Sequence, residues 1–316
     1  PANMQNTFVG IFEGDKLMAT ALFQEIDLAR LNSFGERDNF LVSRVRNFLF
    51  RRFASKLLIV GNNLLSGQNA YACLPNSDEK KVVEKLKEIC HIWPNKSHLT
   101  IFKDFTLDQT IPFQIPAFSS DYPFSSQPNM VFEIREGWKT EDDYVADLTK
   151  KYRDQFKRCR RKGSGIYAKE LTLDEILENE ETLYTLYLHV AKNAPFNTFI
   201  LSETHFSVFK KQLGEDFILR GYYKNDQLVG FTTVIRHGTE LETYFLGYDD
   251  TIQREKMLYL NMLYDIIKCG ILQGFKRIIL GRTALEIKSS VGAIPVQLNG
   301  FMRHSYPLVH QNLSWI

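Results

Sequence analysis

Two segments of this chain repeat in order, and that repetition constrains the fold more than any other feature. Residues 8–23 read FVGIFEGDKLMATALF and residues 219–234 read LRGYYKNDQLVGFTTV. Aligned, Gly10 meets Gly221, Asp15 meets Asp226 and Leu17 meets Leu228, with apolar positions matching around them. Each copy has apolar-rich runs on both sides of a turn signal, the pattern of a strand–turn–strand unit. A second pair follows: Lys56-Leu-Leu-Ile-Val-Gly61 against Lys276-Arg-Ile-Ile-Leu-Gly281. Two pairs in the same order predict a duplicated domain. In this alignment the first copy starts at its second strand, so its opening is missing, abbreviated or supplied from elsewhere.

The length of 316 residues suits two domains. With 44% hydrophobic and 24% charged residues the composition is that of a globular protein, which excludes collagen-like, disordered and coiled-coil chains. Cys73, Cys90, Cys159 and Cys269 are too far apart for metal spacing. So no metal is expected, and the sparse cysteines suit a reducing, cytoplasmic setting. There is no charged-then-apolar leader and no apolar run of about 18 residues, so neither a signal peptide nor a spanning helix is expected. Lys and Arg total 39 against 37 Asp and Glu, a balance that gives no reason to expect DNA.

The second half reads most clearly. A strand is predicted over 166–172. Leu183, Leu186, Tyr187, Val190 and Ala191 recur at helical spacing over 180–193, stopped before Ala194-Pro195. A helix near 203–213, closed by Gly214, precedes three strands at 217–223, 228–236 and 240–248. A longer helix covers 256–272, then a strand 275–281, a short helix 284–291 and a strand 294–302. Strands and helices alternate, so the fold class is α/β (α+β). Domain boundaries are placed at 1–111 and 130–316. Residues 112–129, rich in Pro, Ser and aromatics, read as a linker packed on a surface.

Charge is most uneven in a predicted helix over 141–162. Val145, Leu148, Tyr152, Phe156 and Cys159 form an apolar stripe. From 150 to 162 there are eight basic residues and one acid, Asp154. Like charges at this density repel, so the helix is expected to face an anionic partner: an acyl carrier protein, a tRNA or an anionic membrane surface.

The element order of the second half resembles the GNAT superfamily of acyltransferases. The duplicated form resembles the Fem-type peptidyl aminoacyltransferases and the related peptidoglycan biosynthesis/recognition GNAT-like proteins. The residues that carry this are Lys150-Lys151-Tyr152-Arg153, Gly221 to Thr233, Tyr244-Phe-Leu-Gly-Tyr248 and Gly281-Arg-Thr-Ala-Leu-Glu-Ile-Lys288. The resemblance implies tandem GNAT-like domains, each a mixed, mostly antiparallel twisted sheet flanked by helices. It implies an N-acyltransferase moving an acyl group from a thioester, acyl-CoA or an acyl carrier protein, to a small-molecule amine. The alternatives are Fem-type transfer from aminoacyl-tRNA, or a recognition module without catalysis. The donor would lie where strands 240–248 and 275–281 splay apart. Its phosphates would lie on the loop 249–257, at the start of a helix whose N–H groups favour an anion. Where the family has glycines, this loop reads Gln253-Arg-Glu-Lys256-Met-Leu258. That departure is compatible with a carrier-protein thioester or an aminoacyl-tRNA in place of CoA.

Amine acylation needs a base for the acceptor and an acid for the leaving group. Strand alternation puts Glu242 and Tyr244 on one face, and Tyr248 two positions past Leu246 on that same face. Glu242 is the expected base, and Tyr248 or Tyr244 the acid. Leu246, Arg254, Lys256, Met257, Arg282 and Lys288 are the expected donor-binding residues. Thr283 and Glu286 have the spacing of a capping box. His189 and His205 have no partner at telling spacing and read as structural.

Overall fold

The computed structural model of the chain describes residues 1–30, 50–193 and 197–313. It divides into two compact units: Pro1–Pro128 with Phe196–Ile200 and Gln297–Ile316, and Asn129–Pro195 with Leu201–Val296. Both are mixed, mostly antiparallel α/β units.

The first unit holds β1 (Met4–Glu13), β2 (Lys16–Asp27), β3 (Lys56–Val60), β4 (Tyr71–Cys73), α1 (Glu79–His91) and β5 (Leu99–Phe105). Strands β1, β2, β3 and β5 lie in that order, with β4 also on β2. The first three are antiparallel neighbours, and β3 and β5 are parallel. Parallel strands need a crossover, which α1 supplies. The Asp78 side chain caps α1 by accepting from the Lys80 and Lys81 amides. Val82, Val83 and Leu86 of α1 then pack with Phe23, Phe102 and Phe105 of the sheet. Residues 112–129 take in the end of a 3-10 turn at Asp108–Phe113, a second at Pro116–Phe118, and the start of β6 (Tyr122–Glu133). Phe113 and Phe118 are buried in this core, so the segment does pack as its aromatics suggest, but from Tyr122 onward it is strand.

The second unit runs from the end of β6 through α2 (Glu141–Asp147), α3 (Lys150–Lys162), β7 (Ile166–Glu170), α4 (Leu173–Glu178) and α5 (Glu180–Asn193). It continues through α6 (His205–Leu213), β8 (Phe217–Lys224), β9 (Gln227–His237), β10 (Glu240–Tyr248), α7 (Asp250–Lys256), α8 (Leu258–Leu272), β11 (Arg277–Gly281) and α9 (Leu285–Ser290) to β12 (Ile294–His304). Its sheet order is β6-β11-β10-β9-β8-β7. Leu260, Leu263, Ile267 and Ile271 of α8 bury against Leu241, Ile278 and Phe132. The Ala194-Pro195 stop after α5 lies outside the described residues. From Gln297 onward the chain belongs with the first unit, where Asn299 to His304 pair with β5. The expected domain 130–316 therefore ends at Val296, and the pairing that removes its last strand joins residues far apart in sequence.

The duplication is carried by the first repeat and not by the second. Glu13 pairs with Lys16 and Lys224 with Gln227, so both hairpins close with two-residue loops at aligned positions. Both have a register shift at the aligned step: Ile11 to Phe12 on β1, Tyr222 to Tyr223 on β8. Residues 56–61, however, form the strand antiparallel to β2, which is the place of β10 beside β9 and not of β11. β5 is the counterpart of β11, since each is parallel to its inner neighbour. A lysine, four mostly apolar residues and a glycine describe many buried strands, so that match carried no register.

The predicted helix 141–162 is divided, and the one expected over 256–272 starts at Leu258, preceded by a separate short helix. Between α2 and α3, Leu148 is extended, at φ −67° and ψ 143°. Between α7 and α8, Met257 is left-handed at φ 49°. Thr283 and Glu286 form no capping box: Ala284, itself left-handed, takes the N-cap position of α9 with no side-chain hydrogen bond.

Candidate active site on strand β10

One bulge shapes β10. Thr243 pairs with Val234 and Leu246 with Thr232, so Tyr244 and Phe245 together stand opposite Thr233. The buried Thr233 hydroxyl takes the place of the missing ladder bond. It accepts from the Phe245 amide at 2.9 Å and donates to the Phe245 carbonyl at 2.6 Å. Past Glu242, just before the bulge, β10 stays with β9 and leaves β11. The two pair only from Glu240 to Glu242, against Arg277 to Ile279. β11 meanwhile stays on β6, as far as Gly281 opposite Met130. The strands therefore part where the sequence reading placed the splay.

The bulge also reverses the alternation. Tyr244 faces α6, where its ring stacks on Phe209 and its hydroxyl lies 3.0 Å from His205 Nε2. Phe245 points the same way, edge-on to Tyr187. Gly247 follows on that face, so close to α5 that a Cβ would sit 2.5 Å from the Leu186 carbonyl carbon. Tyr248 consequently emerges on the other face, beside Tyr259 and the cluster containing Leu258. The expectation that Tyr248 shares a face with Glu242 and Tyr244 is corrected. The inserted residue breaks the period of two, and nothing in Thr-Tyr-Phe-Leu announces it. Leu246 shifts with Tyr248. Glu242, opposite Ile235 and half-buried, keeps the face of Tyr244.

Burial decides the protonation of this pair. His205 is buried, and desolvation lowers it to about 4, so its imidazole is neutral at pH 7. The Tyr244 phenol is pushed well up, first by burial and then by the nearby tyrosine and carboxylate, Tyr187 and Glu242. His205 and Tyr244 lie 39 positions apart, which is why spacing alone left His205 without a partner.

The segment 249–257, expected as a phosphate loop, is mostly the helix α7. Asp249 caps it, accepting from the Thr251 amide at 2.8 Å. Lys256 points away to the Ser164 carbonyl at 3.3 Å and lies 3.5 Å from Glu255. Arg254 is exposed and Met257 makes the left-handed junction. At the far side of the splay, Arg282 is half-buried and Lys288 is buried on α9. Desolvation lowers Lys288 to about 8.

The basic helix α3 splits into two sets. Arg153 turns back to the end of α2, donating to the carbonyls of Val145, Ala146 and Leu148. Arg160 bridges Asp265, at 2.7 Å, and Glu141. Lys150, Lys151, Lys157, Arg158, Arg161 and Lys162 have no carboxylate partner among the described residues. At 100° per residue they fall within roughly 140° of arc along about 18 Å of helix. Phe156 and Cys159 are turned into the core.

No protein-family model and no curated protein sequence matches the chain. Solved structures do match its fold. FemX superposes with a TM-score of 0.60 at 10% identity, over 98% of this chain and 90% of that one. The C-terminal domain (DUF2156) of a lysylphosphatidylglycerol synthetase from Agrobacterium fabrum gives 0.57 at 7% identity, over 97% and 87%. A tandem GNAT protein from the clavulanic acid biosynthesis pathway gives 0.51 at 10%, over 97% and 85%. The chain has a tandem, GNAT-like fold of the Fem type.

Proposed function

We propose that this protein is an N-acyltransferase whose acyl donor arrives on a large anionic carrier, with aminoacyl-tRNA as the donor. The observation that carries the reading is the opening beside β10, made by the Thr233 bulge, with Glu242 and Tyr244 on one side of it. Two features favour a carrier over free acyl-CoA. Helix α7 uses its own amides where a phosphate loop would offer them, and Asp249, Asp250 and Glu255 add negative charge beside it. The six cations of α3 that have no carboxylate partner among the described residues suit a phosphodiester backbone. The names of the similar structures, FemX and lysylphosphatidylglycerol synthetase, agree with aminoacyl chemistry.

In the proposed step the acceptor nitrogen attacks the ester carbonyl carbon and Glu242 takes the nitrogen's proton. The carbon–oxygen bond to the ribose breaks, and Tyr244 gives its proton to the leaving oxygen. A phenol held high by burial is matched to an alkoxide leaving group. Neutral His205 positions Tyr244 through their hydrogen bond. Arg282 and Lys288 are the proposed cationic groups for the donor or the oxyanion.

The test is to offer the protein a pool of tRNA charged with radiolabelled amino acids, and acyl-CoA and acyl carrier protein in parallel. Expected are amine-dependent loss of label from tRNA and binding that falls with salt, with a log–log slope of about −4 for six contacts. Turnover of acyl-CoA with binding indifferent to salt would overturn the choice of donor. No turnover of any of the three would return the chain to a recognition role.

A further inference from the structure

We infer that β1 is a dimerisation edge, on which the β1 strand of a second copy of this chain pairs antiparallel about Gly10. The inference is independent of the acyl-transfer reading. It begins from the duplication. In the second unit the outer edge of β8 is covered by β7, which runs antiparallel to it. In the first unit β1 is the counterpart of β8, and no strand among the described residues lies on its outer edge. The Asp27 amide donates to the Asn3 carbonyl, so odd-numbered residues of β1 direct their backbone groups to β2. Even-numbered residues from Asn6 to Phe12 therefore direct theirs outward, while the Met4 amide turns back to the Pro1 carbonyl.

An open edge of this length is normally blunted by lysine, proline or a bulge. β1 has ten residues and a single charge, Glu13, at its end. Its register shift leaves Met18 unpaired on β2, so β1 itself stays regular. Phe8 is 81% exposed and Phe12 61%, on the same face, with Gly10 between them. By contrast β7, the edge of the other unit, has five residues and ends in Lys169 and Glu170.

The pattern is self-complementary. Antiparallel pairing centred on Gly10 sets Phe8 opposite Phe12 of the second copy, and Phe12 opposite its Phe8. On the other face Val9 meets Ile11. Thr7 meets Glu13, so no like charges face each other. The second unit already contains the contact this would make. Tyr223, the aligned counterpart of Phe12, stacks on Tyr167 directly across from it on β7, at 5.2 Å between ring centroids. Each of these aromatics also lies over the glycine two residues before it: Phe12 over Gly10 and Tyr223 over Gly221. The site that β7 fills in one unit is thus shaped and lined in the other for a strand bearing an aromatic residue, which β1 of another copy supplies.

Sedimentation velocity on the full chain over the micromolar range tests this. The expected result is a concentration-dependent species of twice the chain mass. The double variant Phe8→Lys with Phe12→Lys, which sets lysine against lysine across the edge, is expected to sediment at the chain mass with unchanged circular dichroism. Phe8→Lys with Phe12→Glu, which sets opposite charges together, is expected to recover the dimer. A wild type that stays monomeric throughout would overturn the proposal. So would a dimer that survives the double lysine variant, or one that neither charge pattern distinguishes.

Discussion

The Tyr244 hydroxyl of β10 and the His205 imidazole of α6 meet at 3.0 Å inside a shell of Phe206, Phe209 and Phe245. The apolar shell keeps the imidazole neutral and the phenol protonated, which leaves Tyr244 able to donate a proton.

This pair makes stability depend on pH. An ordinary histidine titrates near 6.5, and His205 is lowered to about 4 by burial. Between those values the unfolded chain binds a proton that the folded chain does not. The contribution is therefore complete above pH 6.5, lost as pH falls toward 4, and on the order of 3 kcal/mol in all. Thermal melts from pH 7.5 to 4 should show a steeper acid loss for the wild type than for His205→Gln. Parallel curves would refute the assignment.

Lys288 runs by the same logic at the other end of the scale. Its ordinary value of 10.5 is lowered to about 8, so its burial is uncosted above 10.5 and the penalty grows as pH falls to 8. At pH 7 the buried charge costs roughly 3 kcal/mol. Lys288→Met should therefore raise the melting temperature at pH 7, with the gain shrinking toward pH 10.5, while abolishing transfer. A variant that is more stable and equally active would remove Lys288 from the proposed site.

Gly247 is required by contact with α5. A Cβ there would lie within 2.6 Å of backbone atoms of Leu186 and Tyr187, which cannot rotate away. Gly247→Ala should destabilise by about 1–3 kcal/mol in chemical denaturation. A neutral result would mean that α5 and β10 separate more easily than their packing suggests.

The cations of α3 should divide by role. Arg160→Met strands Glu141 and Asp265, and with Arg160 about a quarter exposed the loss should be nearer 2 kcal/mol than the larger cost of a fully buried pair. Lys157→Gln with Arg158→Gln should leave stability within about 0.5 kcal/mol. The same double variant should flatten the salt slope of tRNA binding by roughly 1.4, two contacts at about 0.7 each. Equal effects of both changes on stability would contradict this division.

Local pattern was enough for much of the fold. Alternation marked β8, β9 and β10, helical spacing marked α5 and α8, and the Gly10/Gly221 repeat carried the hairpin register down to its bulge. These signals are written within ten or fifteen residues, where backbone period and turn chemistry dominate. What depended on distant contacts was not written there. The β10 bulge is held by a hydroxyl from β9, and it alone sends Tyr248 to the face opposite Tyr244. Residues 250–256 coil into a helix in place of a loop, and Met257 turns left-handed between it and α8. Arg160 is withdrawn from the basic face by acids 19 residues before it and 105 after it. His205 finds Tyr244 only because α6 packs across β10. The sequence by itself determined most strands and the longer helices of the second unit and that the fold is duplicated, because those are short-range properties of the chain. Which side chains share a face at the site, and which cations remain unpaired, only the tertiary structure decided. One inserted residue or one long-range pair is enough to redirect a side chain, and neither has a local signature.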